Sequence, residues 1–228
     1  MPGATRSLSD LLSIFGGRRA PENDRVSATI TSSNEPAYPT KALAKFLKLL
    51  QTREAPALLD LGPVVGSNVT FFGEQLACRF RVEDVAADID RHVKEDKVAD
   101  LPTFFQTRFP QPPESVDGIL CWDAMDFLDR PAALALANAL TRLLRPDGAL
   151  LGFFSTAEGR GQFYTKYVVV DDSNLRYRTY PAARARQRSL LNRDIIKLFD
   201  GLRVTDSFLM KNSVREILFR KPAYLAGR

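Results

Sequence analysis

The chain has 228 residues, of which 45% are hydrophobic, and a formal net charge of +5. This length and apolar content suffice for one domain with a full hydrophobic core that needs no disulfide or metal for its stability. The sequence contains no run of about 18 apolar residues, and no basic segment followed by an apolar core stands at its N-terminus. It therefore predicts neither a membrane span nor a signal peptide.

Two cysteines and one histidine limit the possible redox and metal chemistry. Cys78 and Cys121 each fall in a predicted strand, which is typical of buried thiols in a reducing compartment, and we expect a cytoplasmic protein. The single histidine, His92, lies among charged residues of a predicted helix, and we expect it at the surface. Because there is no Cys-x-x-Cys pair, the sequence predicts no metal site.

The excess of positive charge is concentrated in one segment near the C-terminus. Six arginines and no acidic residue stand in this segment, namely Arg176, Arg178, Arg184, Arg186, Arg188 and Arg193. An arginine cluster binds phosphate or carboxylate groups bidentately, or follows a nucleic-acid backbone. A solvated loop and helix start would give the same pattern, so both interpretations stay open.

The remaining chain alternates between predicted strands and helices. Residues 1–35 are rich in Ser, Gly, Arg, Asn and Pro and are predicted to be a flexible arm, while 36–228 are expected to form a single domain. The predicted helices cover 40–52, capped by Thr40, then 67–77, 88–98, a segment capped by Asp129, and 189–200. The predicted strands are 57–61, 78–83, a short one near 98–101, 116–121, 149–155, and the hairpin pair 203–211 and 214–220. An irregular insertion is predicted over 156–188. This alternation predicts an α/β fold with a mostly parallel sheet and helices on both faces.

The turn after the first long strand carries the strongest functional signal. An apolar run ends in Asp60, and a turn containing Gly62 then leads into a helical pattern, an order that brings a nucleoside-containing ligand to the start of a helix. A dinucleotide requires the spacing G-x-G-x-x-G, but Val64 and Ser67 stand at the second and third glycine positions, and Pro63 removes a backbone donor. Dinucleotide binding is therefore disfavoured, whereas S-adenosylmethionine has no phosphate to be held.

An acid at the end of the next strand is the second requirement for such a ligand, because it would bind the ribose hydroxyls. Glu83 and Asp84 stand there, about twenty residues beyond Gly62. Glu83 is the first choice, since it follows the alternating strand pattern directly. Either acid could instead cap the next helix or pair with an arginine.

Four segments resemble the class I S-adenosylmethionine-dependent methyltransferases, in the order that this family shows. They are the glycine motif that begins Leu59-Asp60-Leu61-Gly62 and extends to Gly66, the pair Val82-Glu83, the strand-four region 116–128 and the approach to strand five, 143–151. The likeness covers about residues 40–221. It implies a Rossmann-like sheet of seven strands in the order 3-2-1-4-5-7-6, with strand 7 antiparallel.

The resemblance also implies a cofactor, S-adenosyl-L-methionine, and roles for particular residues. Asp60 and Gly62 would support its methionine end, Gly66 would allow close approach, Glu83 or Asp84 would bind the ribose, and Asp123 would lie near the methyl donor. The methyl acceptor is expected to be a small molecule or an exposed group of a larger one. Candidates for assisting its deprotonation are Asp123, Asp126, Tyr164 and Tyr167.

The chain departs from the family pattern at Val64, where the middle glycine normally stands. If this position requires a positive φ, a β-branched residue is strongly penalised, so the turn must differ or the pocket must be partly filled. An alternative function therefore stays open. It is a weakly active or inactive binding module of the same fold, whose arginine-rich insertion contacts an anionic partner such as RNA.

Overall fold

The computed structural model describes residues 35–157, 161–187 and 189–223. The predicted arm lies outside the described residues except for Glu35, and the described domain is one compact unit that begins at Pro36. No helix in these ranges has the length and apolar character needed to cross a membrane.

Most predicted elements are present with shifted ends. The strands are β1 (Tyr38–Pro39), β2 (Ala57–Asp60), β3 (Arg79–Val82), β4 (Val116–Trp122), β5 (Leu144–Ser155), β6 (Phe163–Val169), β7 (Asn174–Pro181), β8 (Arg203–Leu209) and β9 (Val214–Arg220). The helices are α1 (Ala42–Leu50), α2 (Gly66–Val69, continued by a π-helical turn over Thr70–Gln75), α3 (Val85–Lys94), α4 (Leu101–Thr107), α5 (Arg130–Leu143) and α6 (Asn192–Leu198). Strands β1, β6 and β7 and the helix α4 were not predicted.

The main sheet has the strand order β3-β2-β4-β5-β9-β8. Strands β3, β2, β4 and β5 are parallel, and β9 is antiparallel to both β5 and β8. In the predicted numbering this is 2-1-4-5-7-6, so the α/β class and the reversed strand 7 are confirmed. Helices α3, α4, α5 and α6 pack on one face and α1 on the other.

The predicted third strand is wrong, and the described sheet has six strands instead of seven. Residues Val98–Asp100 form a 3-10 turn, after which α4 begins with Pro102 in its first turn. Proline at this position favours a helix start. Leu101 and Phe105, four residues apart, are both buried, which is the spacing of a helix face and not of a strand. Strand β3 is consequently an edge strand.

The insertion is not irregular, because β6 and β7 form an antiparallel hairpin that pairs with β1 in a second sheet of order β1-β7-β6. Both faces of this hairpin carry packed side chains. Tyr167 and Leu175 join the core around α1, and Tyr164 joins the core on the opposite face of the main sheet. Strand β6 has buried side chains on both faces and therefore shows no alternation of polar and apolar residues. Strand β7 does alternate, with Leu175 and Tyr177 next to Arg176 and Arg178, but the sequence prediction missed it.

The start of α1 depends on a distant residue. The Thr40 hydroxyl accepts a hydrogen bond from the Leu43 amide at 3.4 Å, but the Glu216 carboxylate in β9 accepts from the amides of Lys41 and Ala42, each at 2.9 Å. Free amides at a helix start favour a carboxylate. The predicted cap is therefore supplemented from β9, which fixes α1 to the sheet.

His92 is buried, so the expected surface position is wrong. Its exposed fraction is 7%, its Nδ1 lies 2.7 Å from the Asp88 carbonyl oxygen, and its ring packs against Phe104 of α4. The helix that replaces the predicted third strand covers this side of α3. Cys78 and Cys121 are buried free thiols, as expected.

Candidate functional site

The predicted site residues meet where the strand order reverses. From β2 the chain proceeds to β3 on one side of the sheet and later returns to β4 on the other side of β2. Ligands of open α/β sheets bind at the carboxyl ends of strands beside such a switch point. Asp60 ends β2 and Asp123 follows β4, so both lie at this edge.

The turn after β2 accommodates Val64 without strain. Neither Val64 nor Gly66 has a positive φ, and Val65 is extended with φ −125°. The Val64 side chain is 68% exposed, so it does not fill the space above the strands. At Gly66 an added Cβ would meet no atom within 4 Å. The turn therefore differs from one that requires a middle glycine.

Trp122, which the sequence analysis did not single out, covers the glycine turn. Its indole Nε1 donates to the Asp60 carboxylate at 2.6 Å, and its ring stacks on Tyr167 with centroids 4.9 Å apart. A Cβ added to Gly62 would lie 3.1 Å from the indole. Trp122 has a φ of 47° at an irregularity in the β4–β5 pairing, and such left-handed backbone in a large residue is costly.

Asp60 is a buried carboxylic acid held in a small hydrogen-bond network. The Gly62 amide donates to the same oxygen as Trp122, at 2.9 Å. Burial raises the pKa of Asp60 to about 7, although the hydrogen bonds from Gly62 and Trp122 act in the opposite direction. A carboxyl group with such a pKa changes its charge near neutral pH, which is a common property of functional sites.

Asp123 and Asp126 are brought together by an arginine from the segment after β7. Arg186 donates to Asp123 at 2.5 Å and to Asp126 at 2.6 Å, and its guanidinium lies 5.0 Å from the ring centre of Phe127. Both acids have an exposed fraction of 6%. The Ser155 amide also donates to Asp126, at 2.9 Å. Arg186 belonged to the predicted basic segment, but no sequence signal distinguished it from its neighbours.

Burial and mutual repulsion dominate the electrostatics of this acid pair. Desolvation and the neighbouring Asp123 together raise the pKa of Asp126 to about 7, although Arg186 and the Ser155 amide act in the opposite direction. Desolvation likewise raises the pKa of Asp123 against the effect of Arg186 and of a hydrogen bond from Tyr167. The guanidinium is thus the group that allows both acids to be charged while buried.

The two acids that were expected to bind a ribose are engaged elsewhere. Glu83 accepts from Arg108 at 2.7 Å and from the Gln111 side chain at 3.0 Å. Asp84 caps α3 by accepting from the Ala87 amide at 3.0 Å. Both therefore adopt the structural roles that the sequence analysis had set beside the cofactor role.

Tyr164 lies beside the acid pair without bonding to it. Its ring packs on Phe127, and its hydroxyl donates to Asp90 of α3 at 2.7 Å. Burial and the hydrogen bond to Asp90 raise the pKa of Tyr164. In this arrangement the hydroxyl is occupied by α3 and is not directed at Asp123 or Asp126.

The search for similar proteins gives structural neighbours only. No protein-family model and no curated protein matches the sequence. Among solved structures, the chain resembles PH0226 of Pyrococcus horikoshii at 13% identity, with 79% of this chain and 89% of that chain covered and a TM-score of 0.49. It resembles the Burkholderia thailandensis 1,6-didemethyltoxoflavin N1-methyltransferase with bound S-adenosylhomocysteine at 16% identity, with 79% and 78% covered and a TM-score of 0.45. The glycopeptide N-methyltransferase MtfA in complex with S-adenosylmethionine is similar at 14% identity, with 79% and 87% covered and a TM-score of 0.45.

Likenesses at this identity concern the fold alone, and the strand order provides the stronger comparison. The order 2-1-4-5-7-6 with an antiparallel strand 7 is the one that the resemblance implied, without its outermost strand. The chain has an α/β fold with this strand arrangement. In that fold, the carboxyl ends of β2 and β4 are where a ligand site is expected.

The site as arranged does not fit the cofactor of class I methyltransferases. The space between the glycine turn, Trp122, Asp123 and Tyr164 is a cavity of about 20 Å³. Such a volume holds about one water molecule, whereas pockets for drug-sized ligands measure roughly 300 to 1,000 Å³. Trp122, Phe127, Tyr164 and Tyr180 line this cavity and leave no room for a nucleoside.

Within the described residues, the arginine-rich segment does not form one basic surface. Arg186 is paired inside the site, and Arg184 lies 3.5 Å from Asp129 with an exposed fraction of 18%. Arg193 is 76% exposed, whereas Arg188 lies outside the described residues. The contacts of Arg184 and Arg186 give no support to a continuous tract for RNA.

Proposed function

We propose that this chain binds S-adenosylmethionine and transfers its methyl group to a small molecule or to an exposed group of a macromolecule. One observation supports the proposal most directly. Asp60, Asp123 and Asp126 are all buried at the switch point of the sheet, with exposed fractions of 2%, 6% and 6%. Three buried acids at the expected ligand position are costly to maintain for structure alone.

The chemistry of these acids suits a cationic ligand. S-adenosylmethionine carries a sulfonium and an α-ammonium group, and in the described arrangement the same acids hold cationic or hydrogen-bond-donating groups of the chain, namely the Arg186 guanidinium and the Trp122 indole N–H. A ligand with two positive centres can replace such partners. Because the site does not fit the cofactor as arranged, binding requires that Trp122 or Arg186 move.

A second candidate function follows from the filled site itself. A protein with this fold could serve as a binding platform without methyl transfer, since Glu83 is held by Arg108 and Gln111 and the cavity is small. The two candidates differ in one measurable property, the affinity for adenosyl ligands. Absence of binding would favour the platform.

The proposed function is tested by titrating the protein with S-adenosylmethionine and S-adenosylhomocysteine, using calorimetry and the fluorescence of Trp122. Because Trp122 is the only tryptophan in the chain, its emission reports on this site alone. Binding should change this emission, and Asp123→Asn and Asp126→Asn should weaken the affinity for S-adenosylmethionine at least tenfold.

The matched control is Asp172→Asn, which removes a charge from an exposed loop between β6 and β7 and should leave binding unchanged. The proposal is rejected if neither the wild-type protein nor a variant without the Arg186 charge binds either ligand. If both ligands bind, transfer of a labelled methyl group to a panel of small-molecule and protein acceptors then tests the catalytic half of the proposal.

A further inference from the structure

The segment that carries Arg186 closes the site, and its contacts are those of a removable strap. We define the strap as residues 182–187. We propose that the strap is an autoinhibitory element in which Arg186 takes the place of the cationic ligand, so that the site opens only when Arg186 leaves Asp123 and Asp126. This inference rests on the proposed function and adds to it the control of ligand access.

The central contact of the strap is the one between Arg186 and both acids of the site. The two terminal nitrogens of Arg186 each bond to a different carboxylate, at 2.5 and 2.6 Å, and its planar face lies over Phe127. Charge-assisted bonds of this length are among the stronger ones in proteins. The guanidinium therefore occupies the two acids that a cationic ligand would need.

The strap is also attached to the domain on both sides of Arg186. The Ala182 amide donates to the Gln162 carbonyl oxygen at 3.2 Å, the Gln162 side chain donates to the Ala183 carbonyl oxygen at 3.1 Å, and Arg184 lies 3.5 Å from Asp129. The Gln187 amide donates to the Asp126 carbonyl oxygen at 2.7 Å, and the Ala183 amide donates to the Asp90 carboxylate at 2.9 Å. The strap follows β7 and precedes α6 without belonging to either. Its release would thus break side-chain and loop contacts, while both sheets keep their pairing.

A buried ion pair of this kind contributes little net stability. Well-packed apolar side chains of similar volume are often as stabilising as a buried pair or more so, because both charges lose their hydration. Removing one partner, in contrast, leaves the other charge buried in the low dielectric of the protein interior without an opposite charge, which is strongly destabilising. A cationic ligand that takes the place of the guanidinium supplies the missing positive charge. It therefore avoids the main energetic cost of opening the site. A neutral ligand does not, so the exchange is specific for cations.

Competition between Arg186 and the ligand lowers the apparent affinity. When only a fraction of the molecules is open, the apparent dissociation constant rises by the inverse of that fraction. Weakening the strap should therefore increase affinity, which is the opposite of what loss of a binding residue would do. The direction of the change in affinity therefore distinguishes an autoinhibitory arginine from an arginine that binds the ligand.

The experiment compares Arg186→Gln with the wild-type protein, using two independent readouts. Hydrogen exchange of the strap amides measures opening without any ligand, and calorimetric titration with S-adenosylmethionine, which carries the sulfonium charge, measures access to the site. We expect Arg186→Gln to accelerate exchange at Ala183 and Gln187 at least tenfold and to tighten binding at least tenfold. Amides in the β4–β5 pairing should exchange as in the wild type.

Two further variants keep the result interpretable. Arg186→Lys retains the positive charge but replaces the planar, two-pronged guanidinium by a compact ammonium group, so it should fold normally and give intermediate exchange and affinity. Arg193→Gln removes one charge from the same basic segment at a position that is 76% exposed and should change neither readout.

Each outcome bears on a different proposal. Unchanged strap exchange in both Arg186 variants overturns the strap, and so does binding that is equal in the wild type and in Arg186→Gln; in the second case the proposed function survives. Faster exchange with no binding by any variant overturns the proposed function, and the gating role is rejected with it.

Discussion

At the scale of single residues, the site is organised around acids whose partners come from distant parts of the chain. Asp60 bonds to Trp122, which is 62 positions away, and Asp126 bonds to Arg186, which is 60 positions away. The acids themselves follow strands and were found from the sequence for that reason. Their partners were not found, since neither Trp122 nor Arg186 stands in a pattern that indicates its contacts.

Asp60 should make the stability of the protein depend on pH. Its pKa is about 7 in the folded state and 3.8 ordinarily, so between these values the folded protein binds the extra proton. Its stabilising contribution is complete below about pH 4 and is lost as the pH rises through 7. Each such group can lower the free energy of unfolding by up to about 1.4 kcal/mol per pH unit in this window.

Asp60→Asn removes this titration while it keeps an acceptor oxygen for Trp122 and Gly62. We expect urea unfolding of the wild type to show a loss of stability from pH 5 to pH 8, with a smaller loss in the variant. Some dependence should remain, because burial also raises the pKa of Asp126 to about 7. An Asp60→Asn protein with the full wild-type pH dependence would contradict the assignment, and Asp172→Asn serves as the control.

At the scale of elements, a buried side chain joins α2 to the second sheet. Asn68 is 1% exposed; its Nδ2 donates to the Tyr167 carbonyl oxygen at 2.8 Å, and its Oδ1 accepts from the Val169 amide at 2.9 Å. It thereby satisfies backbone groups on the free edge of β6. Because Tyr167 stacks on Trp122, this contact also positions the aromatic cover of the site.

Asn68→Ala should be strongly destabilising because it leaves a buried carbonyl and a buried amide without partners. An unsatisfied buried polar group costs about 1 to 3 kcal/mol, so we expect a loss of about 2 to 4 kcal/mol in urea unfolding and a shift in Trp122 emission. Ser67→Ala, at an exposed position of the same helix, should change stability by less than about 0.5 kcal/mol. Equal effects of the two variants would show that Asn68 has no such role.

Helices and strands could be predicted from the sequence wherever the local hydrophobic pattern matches the way in which the element packs into the core. The strands 57–60 and 116–122 and the capped helix after Asp129 were found because one continuous apolar run or one helix face enters the core. The region after α3 was misinterpreted as a strand, since a short apolar segment has no clear period and α4 begins at a proline turn. Strand β6 was missed because packing on both of its faces removes the alternation of polar and apolar residues, and the alternation that β7 does show was overlooked without it.

At the scale of the whole molecule, the two ends of the sheet differ in how buried acids are satisfied. Asp117, at the amino end of β4, is 3% exposed and accepts from Arg53 at 2.8 Å, from the Ala57 amide at 2.8 Å and from Arg145 at 3.1 Å. These contacts tie the starts of β2 and β5 to β4. The acids at the carboxyl end are held by the Trp122 indole and the strap arginine together with the amides of Gly62 and Ser155, so among the described residues a charged side-chain partner comes only from the strap, which suits a site that opens.

This asymmetry predicts that stability and site properties can be changed separately. Asp117→Asn removes the charge shared by Arg53 and Arg145, and hydrogen bonds to charged groups contribute about 1.5 to 3 kcal/mol, so we expect urea unfolding to show a loss of about 2 kcal/mol. Strap exchange and Trp122 emission in the folded protein should not change. Asp147→Asn, in a surface pair with Arg220, should cost less than about 1 kcal/mol. A change in strap exchange in Asp117→Asn would mean that the two ends of the sheet are coupled.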